Sequence, residues 1–177
     1  MKMHEFTIIA NGLDPRSEDF EARFYNAGCD DALVSFQKGH ILIDFSREAE
    51  SLEDAIASAI ENVRGAGANV ERVEPDPLVS LAEIAARSQM TRAAITNYHK
   101  GDRGSGFPAA KARVTTSSPL WDWADVSAWL YRNDRLPYEA AVGATVVSVA
   151  NDLIECGESN FRDALHEKVQ ERVLVIG

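Results

Sequence analysis

The residues whose types and spacing could do chemistry lie between Thr91 and Arg113. Arg92 and Asn97 fall in a short segment with helical periodicity, TRAAITNYHK. An arginine can pair with O6 and N7 of guanine, and an asparagine with N6 and N7 of adenine, in a DNA major groove. The cationic and hydroxyl side chains after this helix are suited to binding phosphate oxygens. This segment therefore favours recognition of a nucleic acid.

The distribution of charge indicates the same segment. The 177 residues carry a net charge of −10, which by itself argues against a polyanionic partner. Residues 1–77 have a charge of −9 and residues 136–177 a charge of −4, whereas residues 78–135 have a charge of +3. From Ile84 to Trp121 there are six Lys or Arg residues and one acidic residue. Because phosphate contacts dominate non-specific DNA affinity, a basic island in an acidic chain predicts a DNA footprint; the alternative is a solvated basic loop.

Two short predicted helices would position these side chains. Ser80 precedes an apolar turn and Glu83 follows three residues later, which is a capping-box pattern. A turn at 88–90 leads to Thr91, a favourable N-cap for a second helix that ends near Lys100. Two helices joined by three or four residues predict a helix-turn-helix, whose second helix enters the major groove.

The segments LAEIAARSQMTRAAITNYHKGDRGSGFPAA and PLWDWADVSAWL resemble the winged helix-turn-helix of excisionase-like and MerR-type DNA-binding proteins. The resemblance implies that the first helix supports the second and that the second reads bases. A hairpin wing would reach the DNA backbone, and a third helix would close the hydrophobic core. Phe107-Pro108 and 119–121 would be the two ends of the wing, and Asp122 would cap the third helix. Gln89 stands where the family often has glycine, so a left-handed turn residue there would carry a conformational cost.

Periodicity separates the inner face of the second helix from its outer face. Met90, Ala94, Ile95 and Tyr98 are predicted to face the core, which leaves Arg92 and Asn97 outward as base readers. Thr96 would contact a thymine methyl group or a phosphate, and a wing over 103–118 would hold the backbone or reach a minor groove. For each residue the alternative is a merely solvated side chain. The candidate DNA-binding residues are Thr91, Arg92, Ala93, Thr96, Asn97, Lys100, Arg103, Lys111, Arg113 and Thr115.

Four aromatic residues near this segment are given structural roles. Trp121, Trp123 and Trp129 lie at a strand end and on an apolar helix face, so core packing is a better interpretation than base stacking or a ligand cage. His99 could donate to a phosphate. A lone histidine at a helix C-terminus is more commonly explained by the helix dipole.

Residues 1–76 are predicted to form a separate α+β domain. The expected elements are a strand His4–Ala10, a helix capped by Ser17 and ending at Gly28, strands 31–36 and His40–Phe45 joined by Gln37-Lys38-Gly39, a helix from Ser51 to Gly65, and a strand 70–74. This β-α-β-β-α-β order is that of the ferredoxin-like fold.

A ferredoxin-like domain hosts many unrelated activities, so it does not name a function. Binding of a small effector, dimerisation and docking of a protein partner all remain open. An acylphosphatase-like enzyme is excluded because no arginine-bearing glycine loop follows the first strand. The acidity of this half is explained either by a solvated surface or by repulsion of nucleic acid.

Residues 136–177 are predicted to form two C-terminal helices. The first spans 138–156 and ends at Gly157, and the second begins after Ser159 and runs to Arg172. The first is so apolar that it must pack on another surface. That surface is either a second subunit, as expected for a homodimeric DNA reader, or the chain itself.

Composition excludes several classes of protein. No apolar run is long enough to span a membrane and no signal-peptide pattern is present, so a cytoplasmic location is expected. Cys29 and Cys156 are expected to be buried thiols, and the four histidines show no metal-ligand spacing. No phosphate loop or nucleophile elbow occurs, so we expect no cofactor and no enzymatic activity.

The sequence thus predicts an α+β protein with a ferredoxin-like domain (1–76), a winged helix-turn-helix (78–135) and a C-terminal helical segment (136–177). Its expected function is sequence-specific binding of double-stranded DNA as a transcriptional regulator. The alternative is an adaptor or antitoxin-type protein whose acidic N-terminal domain binds a protein partner and whose DNA binding is secondary or lost.

Overall fold

The computed structural model describes residues 1–177 and has mixed α+β architecture, with seven helices and a four-stranded antiparallel sheet. It divides into two compact units. The first unit comprises residues 1–75 and 149–169, and the second comprises residues 76–148 and 170–177. No helix is both long enough and apolar enough to cross a membrane.

The first unit contains the four-stranded sheet and two helices from the N-terminal part of the chain. Its elements are β1 (Lys2–Asn11), α1 (Phe20–Asn26), β2 (Ala32–Gln37), β3 (His40–Ala49), α2 (Leu52–Gly65) and β4 (Asn69–Glu74). The strand order is β2-β3-β1-β4, and every neighbouring pair is antiparallel. The β-α-β-β-α-β order predicted from the sequence is present.

Alternation along the strands determines which face of the sheet is buried. In β3, Ile41, Ile43 and Phe45 are buried, whereas Asp44 and Ser46 between and beside them are exposed. Helix α2 adds a buried stripe of its own (Ala55, Ile56, Ala59, Ile60 and Val63). Ser51 begins α2 as predicted, since its hydroxyl accepts the Asp54 N–H at 3.1 Å.

Two local predictions in this unit were wrong. Helix α1 is preceded by Asp19 rather than capped by Ser17, whose hydroxyl instead donates to the Asp19 carboxylate. The hairpin between β2 and β3 has a two-residue loop, Lys38-Gly39, because Gln37 pairs directly with His40. Both loop residues have positive φ, 52° and 84°, as the tight primed turns that match strand twist require.

A buried arginine is the main polar feature of the first unit. Arg47 is 7% exposed and donates to both carboxylate oxygens of Asp31, at 2.7 and 2.9 Å. Its remaining donors reach the Gly28 carbonyl, Ser58 Oγ and Asn62 Oδ1 at 2.8–3.0 Å. The guanidinium also lies 4.8 Å from the centroid of the Phe45 ring. A buried charge is tolerated here because a carboxylate and several acceptors compensate it.

The second unit contains the segment that carries the predicted site residues. Its elements are β5 (Leu78–Val79), α3 (Leu81–Ser88), α4 (Arg92–Lys100), β6 (Trp121–Asp122) and α5 (Trp123–Arg132), with parts of α6 (Tyr138–Cys156) and α7 (Phe161–Val173). Strands β5 and β6 pair with each other. Ile84, Ile95, Trp121 and Leu130 are fully buried, and Trp123 and Trp129 are 8% and 3% exposed. The prediction that the three tryptophans belong to the core is confirmed.

The C-terminal helices contribute residues to both units. Within the first unit, Asn151 of α6 binds the edge strand β4: its amide oxygen accepts the Val73 N–H at 2.8 Å and its amide nitrogen donates to the Val73 carbonyl at 3.0 Å. Arg162 of α7 binds Glu61 of α2 at 2.9 Å. Helix α7 begins at Phe161, one residue later than an N-cap at Ser159 would place it.

The two cysteines differ in exposure. Cys29 is 2% exposed, whereas Cys156 is exposed, so the prediction that both thiols are buried is wrong for Cys156. Burial raises the pKa of the Cys29 thiol to about 11. Cys156 lies in the last turn of α6, where its Sγ donates to the Leu153 carbonyl at 3.4 Å.

Candidate nucleic-acid interface

Helices α3 and α4 begin at side-chain caps and are joined by a left-handed residue. Ser80 accepts the Glu83 N–H, and the Glu83 carboxylate accepts the Ser80 N–H, which confirms the predicted capping box. Gln89 closes α3 with φ of 56° and ψ of 34°. Thr91 then caps α4, its Oγ1 accepting the Ala94 N–H at 3.1 Å. The connection has the length and caps that the sequence predicted.

Packing determines which face of α4 is available to a ligand. Ile95 and Tyr98 are buried, and the Tyr98 ring lies 5.0 Å from that of Trp129 in an edge-on contact. Met90 packs against the same core and Ala94 is half-buried. These residues are the inward-facing set that periodicity predicted, so the opposite face of α4 is turned towards solvent.

Six predicted site residues lie on or next to this outer face. Thr91, Arg92, Ala93 and Lys100 are exposed, and Thr96 and Asn97 are half-buried. The side chains of Arg92, Asn97 and Lys100 make no hydrogen bond or ion pair within the chain. Arg92 lies four residues before Thr96, and Asn97 lies three residues before Lys100, so these side chains share one side of the helix. A guanidinium, an amide and an ammonium group therefore stand free on one helical surface.

The loop that follows α4, residues 101–120, is attached to the core by two tryptophans. Trp129 Nε1 donates to the Ser105 carbonyl and Trp121 Nε1 to the Pro108 carbonyl, both at 3.0 Å. Phe107 packs on the core rather than starting a strand. The loop closes instead at a single antiparallel bridge between Ala112 and Leu120, four to five residues beyond the predicted wing end at 107–108.

The tip of this loop, residues 113–119, carries two of the predicted contacts. Arg113 and Thr115 are exposed, and Arg113 has a positive φ of 54°. Thr116 Oγ1 donates to the Arg113 carbonyl at 2.8 Å and accepts the Ser118 N–H at 3.2 Å. These bonds hold the turn in shape and leave the Arg113 side chain directed to solvent.

Lys111 has an internal partner. Its Nζ lies 2.9 Å from the Asp122 carboxylate, which is 8% exposed and also accepts the Ala124 N–H at the start of α5. The charge of Lys111 is therefore largely compensated within the chain, unlike that of Arg113 at the loop tip.

A cationic cleft adjoins the end of α4. Arg103 and Arg135 line a space of about 500 Å³ together with Tyr98, Gly104 and Asn133. Both arginines are exposed and neither has an ion-pair partner. Arg103 was predicted from the sequence as a site residue, whereas Arg135 was not. The charge count over 78–135 was the one signal that included it.

A second cleft in this unit has mixed charge. Lys111, Asp122, Asp125, Arg132 and Arg172 line a space of about 420 Å³ at the first turns of α5. Burial, and then the neighbouring Asp122 carboxylate, raise the pKa of Asp125 above its ordinary value. Opposite charges compensate one another here, so this cleft offers a polyanion less than the outer face of α4 does.

His99 is exposed, and its ring lies 5.0 Å from that of Trp121, so it packs over the core edge. No group of three or more His, Cys, Asp or Glu side chains is arranged to hold a metal ion. The candidate interface thus consists of the outer face of α4, the loop tip at 113–119 and the arginine cleft beyond α4.

Comparison with protein-family models, with curated proteins and with solved structures gave no match.

Proposed function

We propose that residues 78–135 form a winged helix-turn-helix that binds double-stranded DNA in a sequence-specific manner. In this proposal α3 supports α4, and α4 enters the major groove. The loop 103–118 is the wing, and α5 closes the hydrophobic core. The observation that carries it is the outer face of α4, where Arg92, Asn97 and Lys100 are unpaired while the opposite face is buried.

Each side chain has a role that follows from its chemistry. Arg92 and Asn97 read bases, because their planar groups can make paired hydrogen bonds to guanine and adenine edges. Thr91, Ala93 and Thr96 lie close enough to the same groove to contact phosphates or thymine methyl groups. The DNA backbone is bound by Lys100, Arg103, Arg113 and Thr115. Lys111 can also contact a phosphate, but its charge is shared with Asp122.

The charge of each unit supports this assignment. The second unit carries nine Lys or Arg residues and eight acidic ones, a net charge of +1, and the first carries nine and twenty, a net charge of −11. A polyanion is therefore repelled by the first unit and accepted by the second. We assign the β-α-β-β-α-β part of the first unit to the ferredoxin-like fold, supported by the strand order β2-β3-β1-β4.

The biological role we infer is a cytoplasmic transcriptional regulator that acts as a homodimer on two half-sites. Two copies would place two α4 helices about one turn of DNA apart, roughly 34 Å. The competing proposal is an adaptor or antitoxin-type protein whose acidic first unit binds a protein. The charge of −11 on that unit favours it, and the two activities can coexist on separate units.

The test is selection of bound duplexes from a random pool by the wild type, by Arg92→Ala and by Arg16→Ala. Arg16 is a matched control, since it is an exposed arginine of the first unit with a side chain 90% accessible. We expect an enriched motif from the wild type and from Arg16→Ala. Arg92→Ala should lose about 1–3 kcal/mol of specific binding and its preference at one base.

Two results would contradict the proposal. Absence of enrichment at low salt would remove the DNA-binding function. Equal losses by Arg92→Ala on selected and random duplexes would remove base reading by Arg92 and leave it as a phosphate contact.

A further inference from the structure

Strand β2 is an unprotected edge of the sheet in the first unit. It pairs with β3 alone, and its six residues, ALVSFQ, include no charge and no proline. Since Gln37 and His40 flank the two-residue turn, alternation directs the N–H and C=O groups of Val34 and Phe36 away from β3. Neither N–H has another backbone partner. Charged residues and prolines are the usual protection of edge strands, and β2 lacks both.

At the opposite edge of the sheet, outward main-chain groups of β4 are hydrogen-bonded to a side chain of the same unit. At β4, the Asn151 side chain accepts the Val73 N–H and donates to the Val73 carbonyl, as a neighbouring strand would. The β4 edge is thus capped at Val73 by the chain itself, whereas no side chain caps the outward main-chain groups of β2. This difference indicates that β2 is available to an added strand.

Apolar side chains line the open edge. Leu33 is 70% exposed and Phe36 is 46% exposed, and Tyr25 of α1 is 66% exposed. Between α1 and β2 lies a groove of about 410 Å³, lined by Tyr25, Asn26 and Leu33 among others. The groove could take one apolar side chain of an added strand, while β2 supplies main-chain hydrogen bonds.

The charges around this edge indicate which kind of added strand would bind there. Residues 18–38 contain five carboxylates, the Arg23 guanidinium and the Lys38 ammonium group in the turn after β2. Arg23 pairs with Asp19, and Arg47 pairs with Asp31, which leaves Glu18, Glu21 and Asp30 uncompensated. A second copy of the chain would bring the same negative charges to the contact, whereas a basic segment would compensate them.

We propose that the β2 edge binds an extended, basic segment of a partner protein by strand addition. Val34 and Phe36 pair with the main chain of that segment, the groove holds one of its apolar side chains, and Glu21 and Asp30 pair with its Lys or Arg residues. This site does not involve α4, so it does not depend on the DNA-binding proposal.

The experiment measures fluorescence anisotropy of a labelled peptide of alternating lysine and valine, titrated with the full chain. A peptide of alternating glutamate and valine is the charge-reversed probe. Phe36→Pro removes an outward N–H without removing a hydrogen bond to β3, and proline is tolerated on edge strands. Glu21→Lys reverses one flanking charge, and Glu167→Lys, at an exposed position of α7, is its matched control.

We expect the lysine peptide to bind and the glutamate peptide to bind at least about tenfold more weakly, as charge complementarity requires. Phe36→Pro and Glu21→Lys should both weaken binding of the lysine peptide, and Glu167→Lys should not. In the wild type, bound peptide should slow hydrogen exchange at the amides of Val34 and Phe36, a readout that needs no variant to fold.

Equal binding of the two peptides would overturn the proposal, as would unchanged exchange at Val34 and Phe36 in the presence of millimolar lysine peptide. Sedimentation without peptide gives the remaining outcome. A dimer that Phe36→Pro dissociates would identify a second copy of the chain as the occupant, and would also overturn it.

Discussion

Lys111 Nζ lies 2.9 Å from the carboxylate of Asp122, the residue that also caps α5. The ion pair connects the loop before the Ala112–Leu120 bridge to the strand that follows it. Lys111 and Arg113, which the sequence treats as equivalent wing cations, therefore have different roles. Lys111 maintains the base of the loop, and Arg113 is the free cation at its tip.

Substituting these two residues should separate stability from binding. Lys111→Ala should lower the free energy of unfolding of the second unit by about 1–2 kcal/mol, because a mostly buried carboxylate loses its counter-charge. Arg113→Ala should leave stability unchanged and flatten the salt dependence of DNA affinity. Urea unfolding followed by tryptophan fluorescence measures the first effect, since all three tryptophans lie in the second unit. Equal urea midpoints for Lys111→Ala and the wild type would contradict the structural role of Lys111.

Gln89 should be replaceable by glycine with a gain in stability. Its φ of 56° lies in the left-handed region, where a non-glycine residue costs about 1–2 kcal/mol. We expect Gln89→Gly to raise the free energy of unfolding by about 1 kcal/mol after the entropy of glycine in the unfolded chain is included. Ala86→Gly, inside α3, is the control and should destabilise by about the same amount. A loss from both variants would show that the turn is not strained at Gln89.

Arg47 should be indispensable to the first unit. Arg47→Ala should cost about 3–5 kcal/mol, because Asp31 and three half-buried acceptors (Gly28, Ser58 and Asn62) lose their donor. Arg16→Ala should cost almost nothing, because the Arg16 side chain is 90% accessible and pairs only with the exposed Asp14. Alkylation of Cys29 reports unfolding of this unit, since the thiol is buried in the folded state. Equal alkylation rates in the two variants would refute the prediction.

The two thiols should react at very different rates. Cys156 is exposed and should be alkylated at once, whereas the pKa of about 11 leaves roughly one Cys29 thiol in a thousand ionised at pH 8. Quantification of each alkylated peptide by mass spectrometry gives both rates. Urea should accelerate the Cys29 reaction selectively. Rapid labelling of both thiols in the native protein would contradict the burial of Cys29.

Glu71 should make stability depend on pH. Hydrogen bonds from Asn11, and next from His40, hold the pKa of Glu71 below its ordinary value. A lowered folded-state pKa adds stability above the unfolded-state pKa, and that stability is lost as the pH falls through the folded-state value. Wild type should therefore exceed Glu71→Gln in stability at pH 7, and the difference should close below about pH 4.5. A gap that persists in acid would contradict this account.

Local patterns predicted the helices and strands well because they are set by short-range physics. The caps at Ser51, Ser80 and Thr91 were each predicted from a cap-forming residue before a helical pattern, and at Ser80 also from Glu83 three residues later. Alternation gave the strands, and helical periodicity gave the inner face of α4. Errors arose where the competing signals were nearly equal, as at Ser17, where a second cap residue, Asp19, lies only two positions away.

Features that depend on distant contacts were not predictable from these patterns. The Arg47–Asp31 pair joins residues 16 positions apart, and Lys111–Asp122 joins residues 11 apart. Arg47 lies beyond the predicted strand His40–Phe45, and its inward position follows only from the observed β3, which runs to Ala49. Arg135 approaches Arg103 through the packing of α5, which no spacing rule describes. The division of α6 and α7 between two units likewise depends on tertiary packing.

The amide of Asn151 has a consequence for assembly. A sheet with two open edges can accept a new copy at each end and so polymerise without limit, as fibrils do. Here Asn151 occupies the main-chain groups of Val73 on the β4 edge. Pairing of β2 of one copy with β4 of the next is therefore blocked at Val73, which opposes head-to-tail growth of copies through the sheet.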